Sequence, residues 1–187
     1  NSQPMGFYSV AQIIRDAKNH GVKIKEVCIN RSEWDHSLEN KGESCLNLRL
    51  GFRQIKGLSK NDVDRIIEER GNGYNDPQDL WHRIRLSPSI IKLLVKANSF
   101  HSLNKNRRLL LWDAQAIKKT NSLALFEGYS EKEYLPEKSI NLPNMTSGEE
   151  LILDYQSLRL SLSTHPVKLL RPFLKKSFIE KYCASSV

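Results

Sequence analysis

No stretch of this 187-residue chain approaches the roughly 18 consecutive apolar residues that a bilayer-spanning helix needs, so no membrane segment is expected. Cysteine is scarce as well. Cys28, Cys45 and Cys183 are odd in number and unrelated in spacing, which argues against a disulfide framework and against a CxxC-type zinc site. The five histidines, His20, His36, His82, His101 and His165, lie apart with no ligand spacing, so no metal-ligating residue is assigned. Trp34, Trp81 and Trp112 read as core anchors rather than base-stacking platforms. The first residues, Asn1-Ser2-Gln3-Pro4-Met5-Gly6, show no starting Met and no basic-then-apolar leader. They read as a position inside a longer protein, with a reducing cytoplasm as the expected location.

What the chain does have is an uneven charge. The formal net charge of +8 resides entirely in residues 46–119, where fifteen Lys and Arg face seven Asp and Glu. Residues 1–45 balance six against six, and residues 120–187 eight against eight. A basic block inside a folded region is the electrostatic footprint of a phosphate binder, although a solvated basic surface has the same composition.

Local signals predict a mainly α fold with a small β-hairpin. Ser9 and Gln12 make a capping box for a first helix whose Val10, Ile13, Ile14 and Ala17 share one face. Two alternating runs follow, Val22–Asn30 and Cys45–Leu50, joined by a turn-rich stretch through Trp34 and Gly42. Helices are then predicted from Lys60 to about Arg70 behind Ser59 and from Pro77 behind Asp76. Others follow from Pro88 behind Ser87 and from Lys105 to about Lys119 behind Asn104. Residues 120–145 read as a linker. Thr146 and Glu149 open a further helix that Pro166 is expected to end, and a short basic helix over Val167–Lys176 follows.

The chemistry is expected at Ile55-Lys56-Gly57-Leu58, an apolar-x-Gly-apolar turn between short helices. Glycine lets such a turn come close to a phosphate. The turn's N–H groups and those opening the next helix then point at the anion, helped by the helix dipole. Lys56 and Lys60 flank the turn and Ser59 carries a hydroxyl, so Lys56, Gly57, Leu58, Ser59 and Lys60 form the first candidate DNA-binding set. Many ordinary turns share this short pattern, and context strengthens it. Arg85-Leu86-Ser87-Pro88-Ser89 is a second hairpin candidate some thirty residues on, within the same basic block. It lacks the glycine, so its contacts would fall to Ser87, Ser89 and Lys92. Paired units of this kind form a compact tandem helix-hairpin-helix that grips both strands of a duplex through their backbones.

Several stretches resemble the C-family bacterial DNA polymerases, in particular their error-prone, damage-induced branch, related to the alpha subunit of DNA polymerase III. They are Gln3-Pro4-Met5-Gly6-Phe7-Tyr8, Ile29-Asn30-Arg31-Ser32-Glu33-Trp34-Asp35 and Leu48 through Gly57. Glu69-Arg70-Gly71-Asn72-Gly73-Tyr74, Asp79-Leu80-Trp81, Ala97-Asn98-Ser99-Phe100 and Leu160 through Pro166 continue the match. The resemblance implies that residues 1–45 end a fingers domain and that residues 46–119 form the tandem helix-hairpin-helix domain holding primer-template duplex. Residues 120–187 would be linker and helices leading to an OB domain that is not present. It implies a DNA-directed DNA polymerase, a nucleotidyltransferase, whose catalytic palm aspartates and their Mg2+ have no counterpart in this stretch. Asp62-Val63-Asp64 is the nearest acidic pattern and reads as a solvated pair. The segment itself is therefore expected to be inactive, with no catalytic residue and no cofactor of its own.

Ser122-Leu123-Ala124-Leu125-Phe126 resembles the sliding-clamp peptide Gln-Leu-x-Leu-Phe, with serine where the pattern wants glutamine. Leu123, Leu125 and Phe126 are the candidate clamp-binding residues, although apolar linker residues often pack on their own domain. The expected partner is double-stranded DNA. The competing reading is a protein-interaction platform for the clamp or for mutagenesis accessory proteins. A helix-hairpin-helix glycosylase or nuclease would need a catalytic Asp or Lys at a pocket, or a metal cluster.

Overall fold

The computed structural model describes residues 8–40, 46–117 and 142–176. Along these the chain forms α1 (Val10–Asn19), β1 (Lys23–Lys25), β2 (Ser37–Asn40) and β3 (Leu46–Arg49). The helices α2 (Lys60–Glu68), α3 (Pro77–Ile84), α4 (Pro88–Lys96) and α5 (Arg107–Ala116) follow, then α6 (Ser147–Leu158) and α7 (Pro166–Lys176). The fold is mainly α with one small sheet, as the local signals require.

Most helix starts are explained by one polar side chain satisfying an N–H that the helix cannot satisfy itself. Ser9 accepts from Gln12 while the Gln12 side chain accepts from Ser9, at 3.3 and 2.9 Å. Ser59 accepts from the Asp62 N–H at 3.2 Å, and Asp76 from the Asp79 N–H at 2.8 Å ahead of Pro77. Thr146 and Glu149 close the same box on α6. Two boundaries differ from expectation. Asn104 lies at φ 54° and closes a 3-10 turn over His101–Leu103, whereas Asn106 caps α5 by accepting from the Arg108 N–H at 2.9 Å. Asparagine tolerates the left-handed region, so a cap two residues later is open to it. Likewise α6 stops at Leu158 with Arg159 at φ 60°, and Pro166 begins α7 instead of ending α6.

The sheet has three strands in the order β1-β3-β2. The two expected strands are neighbours, but they run parallel, with Ile24 opposite Leu48. The third, β2, comes from the stretch read as turns and pairs antiparallel with β3, Leu38 opposite Leu48. The alternation expected over Val22–Asn30 ends at Lys25, because Val27, Cys28 and Ile29 are all buried in succession. They run through the core, where the Ile29 N–H donates to the Ser99 carbonyl at 2.8 Å. Leaving the sheet, the chain passes so close to the Trp34–Asp35 backbone that a Cβ on Gly51 would fall 2.3 Å from the Asp35 carbonyl oxygen. Only glycine fits there.

One core joins the sheet to the helices: Ile29, Leu50 and Phe52 with Val63, Ile66, Leu80, Leu86, Ile91, Leu94, Phe100 and Leu110. The expected apolar face of α1 contributes Ile14, whereas Val10 and Ile13 remain about half exposed. Beyond residue 142 the chain returns to the same core with Leu158 and Leu160. Arg107 and Asp154, both nearly buried, pair at 2.9 Å and tie α5 to α6, and Arg108 meets Glu149 at 2.8 Å. The Lys18 ammonium donates to the Leu162 carbonyl at 2.8 Å, fastening this return to α1.

Candidate nucleic-acid interface

The first turn forms where the sequence places it, but a single 3-10 turn rather than a helix leads into it. Phe52–Gln54 forms a 3-10 turn, and the chain reverses at Ile55–Leu58 before entering α2. Gly57 sits at φ +86°, the third position of a type II turn, which L side chains rarely adopt. The closing Leu58 N–H to Ile55 carbonyl contact is long, 3.5 Å. Ile55 and Leu58 are buried and anchor the turn, while Lys56, Gly57, Ser59 and Lys60 are exposed. A methyl group placed on Gly57 would touch Leu93 Cδ1 of α4 at 3.5 Å, so the turn lies against the flank of α4.

The N–H groups of Gly57, Ser59, Lys60 and Asn61 meet no acceptor among the described residues. Together they form an exposed row of donors at the positive end of a helix dipole, the arrangement that attracts an anion. Two details refine the expected set. The Ser59 hydroxyl donates to the Asp62 carboxylate at 2.6 Å, so this residue offers its backbone N–H rather than its side chain. The Lys56 N–H is also engaged: it donates to the Ser157 carbonyl of α6 at 2.9 Å.

Charge sorts the basic block further. Arg49, Arg53, Arg70, Arg83, Lys105, Arg107 and Arg108 all stand within ion-pair distance of a carboxylate, and Arg65 donates to the Ile84 carbonyl. Lys56, Lys60, Arg85, Lys92 and Lys96 have no acidic partner among the described residues. Lys56 and Lys60 flank the first turn, and Lys92 and Lys96 stand one helical turn apart on α4, the helix whose Leu93 lies against Gly57. Lys96 is also linked to the turn through Ser157, whose hydroxyl contacts the Lys96 carbonyl at 3.1 Å. Sequence reading missed Lys96; its spacing of four from Lys92 was the available signal.

The candidate second turn holds Arg85 at φ 56°, with its guanidinium over the Trp81 ring at 4.1 Å. Trp81 is thus a half-buried platform for a cation as well as a core neighbour. Ser87 and Ser89 are exposed, and Ser87 makes no side-chain cap bond. These two serines stand at the N-terminal end of α4, with Ser89 one helical turn before Lys92 and Lys96 one turn after it. Lys56, Gly57 and Lys60 thus stand on the first turn, and Ser87, Ser89 and Lys92 on the N-terminal half of α4. By packing, α4 is joined far more to α5 than to α3. That second helix pair turns at Asn98, φ 56°, where the Asn98 N–H donates to Val95 and the Ser99 N–H to Leu94, at 3.0 and 3.1 Å. Asn98 thus adopts the left-handed backbone that Gly57 provides in the first hairpin.

Asp62 and Asp64 lie two residues apart on α2, about 200° around the helix, so their carboxylates diverge rather than converge on an ion. Among the described residues no group of three or more His, Cys, Asp or Glu could hold a metal ion. No helix among them is long and apolar enough to cross a membrane. Leu123, Leu125 and Phe126 lie outside the described residues.

A family model described as helix-hairpin-helix motif matches residues 21–110. The chain is 46% identical over 172 residues to an error-prone DNA polymerase of Ruegeria pomeroyi, covering 92% of this chain and 16% of that protein. It is 43% identical over 171 residues to the error-prone DNA polymerase of Brucella abortus, covering 91% of the chain and 16% of the relative. A third, from Sinorhizobium medicae, is 40% identical over 192 residues, with 91% and 17% covered. The chain therefore spans about a sixth of the length of the curated relatives it matches.

Proposed function

The chain is a relative of the error-prone DNA polymerases, matching one stretch of them, and on that footing we propose that it holds the primer-template duplex of such an enzyme by its backbone phosphates, without regard to sequence. What supports this reading is the row of free N–H groups on a turn flanked by Lys56 and Lys60, beside the helix that carries Lys92 and Lys96, none of these lysines having a described acidic partner. Phosphate contacts position a protein on DNA without reading bases, and each neutralised phosphate releases counterions. Binding of this kind is steeply salt-dependent.

In this reading the segment belongs to a cytoplasmic nucleotidyltransferase. It supplies position, while the palm aspartates and Mg2+ of the reaction lie in other parts of the enzyme. Asp62 and Asp64 do not fit a two-metal site, because they diverge and Asp62 is held by Ser59. The test is a fluorescence-anisotropy titration of a short duplex over a salt series, comparing wild type with Lys56→Glu/Lys60→Glu after both are shown to be folded. Weak, sequence-indifferent affinity that falls with salt, and falls further in the variant, supports the phosphate grip. A folded wild type that fails to bind at low salt overturns it and favours a platform for the sliding clamp or accessory proteins.

A further inference from the structure

We infer that α6 is part of the DNA grip: its C-terminus and the first hairpin turn cap each other, and Gln54 and Ser157 act as positioning residues for the phosphate-binding turn. This rests on the phosphate-grip reading above. An α-helix leaves its last four carbonyls without partners. At the end of α6 the Tyr155 carbonyl accepts from the Arg159 N–H at 3.2 Å, an ordinary helix closure. Two of the remaining three, Ser157 and Leu158, are satisfied from more than a hundred residues earlier in the chain. The Lys56 N–H donates to the Ser157 carbonyl at 2.9 Å, and the Gln54 side-chain amide donates to the Leu158 carbonyl at 2.8 Å.

The pairing has a consequence for the site. With its N–H committed to α6, Lys56 cannot rotate its peptide toward an incoming phosphate, and the turn is held with Gly57, Ser59 and Lys60 facing outward. The same end of α6 reaches α4, because the Ser157 hydroxyl contacts the Lys96 carbonyl at 3.1 Å and the Arg107 guanidinium donates to that carbonyl as well. Arg107 is in turn held by Asp154 of α6. One helix end therefore fixes the backbone at Lys56 and at Lys96, two of the free cations of the interface.

Gln54→Ala in the intact chain tests this, because it removes one tie and no charge. The expected result is duplex affinity lower on the order of fivefold, the usual effect of one lost hydrogen bond. The slope of log affinity against log salt should stay at the wild-type value, and amide exchange at Lys56 should accelerate. Lys56→Gln provides the contrast: its slope should fall by about one. Asp154→Asn loosens the same helix from the other side and should act in the same direction if it folds. Unchanged affinity in Gln54→Ala despite faster Lys56 exchange overturns the positioning role, as does a slope that drops with it. If Lys56→Glu/Lys60→Glu abolishes binding and Gln54→Ala does nothing, the inference fails and the phosphate grip stands. A wild type that does not bind removes both.

Discussion

Gly57→Ala separates what backbone conformation contributes from what space contributes. The new methyl would meet Leu93 Cδ1 at 3.5 Å, an ordinary van der Waals contact, so sterics at the site are neutral. The cost comes from φ +86°, which an L residue adopts at a penalty of roughly 1–2 kcal/mol. A small opposing gain comes from the lower entropy of alanine in the unfolded chain, about 0.4–1 kcal/mol. The net destabilisation expected is therefore about 1 kcal/mol. In urea this moves the midpoint by roughly 0.3–1 M for an m-value of about 1–3 kcal/mol/M, with m unchanged. Gly57→Asn should cost less, because asparagine enters the left-handed region more readily. Duplex affinity should fall more in Gly57→Ala than stability does, since the turn would relax toward negative φ and turn its N–H row away. Paired urea melts and anisotropy titrations measure both. An alanine variant as stable as wild type would refute the claim that the fold imposes this φ. A loss well beyond 3 kcal/mol would refute the claim that the Leu93 contact is slack.

Lys96→Gln should reduce the salt slope of duplex binding by about one with the melting temperature unchanged, whereas Arg53→Gln, already paired with Asp35, should leave the slope alone. Asp154→Asn strands the nearly buried Arg107 and should cost about 3–5 kcal/mol in thermal or urea unfolding. Replacing both partners with Met and Leu should recover most of that loss. The Arg49 and Lys25 side chains beside Glu39 hold its carboxyl near 2, down from an ordinary 4.5. A depressed folded pKa stabilises above the unfolded value and is lost as pH falls, so an acid titration by circular dichroism should show stability draining between about pH 4.5 and 2. Glu39→Gln should flatten that window. Burial holds the Tyr74 hydroxyl up at about 12 while it donates to the Ile66 carbonyl at 2.8 Å. Its stabilisation is complete below pH 10 and should drain as pH rises from 10 toward 12, a loss that Tyr74→Phe removes.

The sequence by itself determined the local starts and the chemistry of one turn. Ser9, Ser59, Asp76 and Thr146 cap helices because a capping bond reaches only three residues along the chain, and no distant partner is needed to form it. Gly57 was legible for the same reason, since an apolar-x-Gly-apolar turn is a statement about one backbone angle. Boundaries were less so where two asparagines competed: Asn104 and Asn106 can each cap or turn left-handed, and the packing of His101–Leu103 chose between them. Apart from Arg83, which pairs with Asp79 one turn before it, tertiary structure decided which of the described cations remain free. Fifteen basic residues look alike in a charge count, yet their carboxylate partners stand up to 47 positions away, as Asp154 does from Arg107. It also decided the parallel pairing of β1 with β3, since alternation specifies a face but not a direction. The bond from Lys56 to Ser157 could not be foreseen either, because an orphan carbonyl at a helix end states only that it needs a donor. Which donor answers depends on where the chain has returned in space.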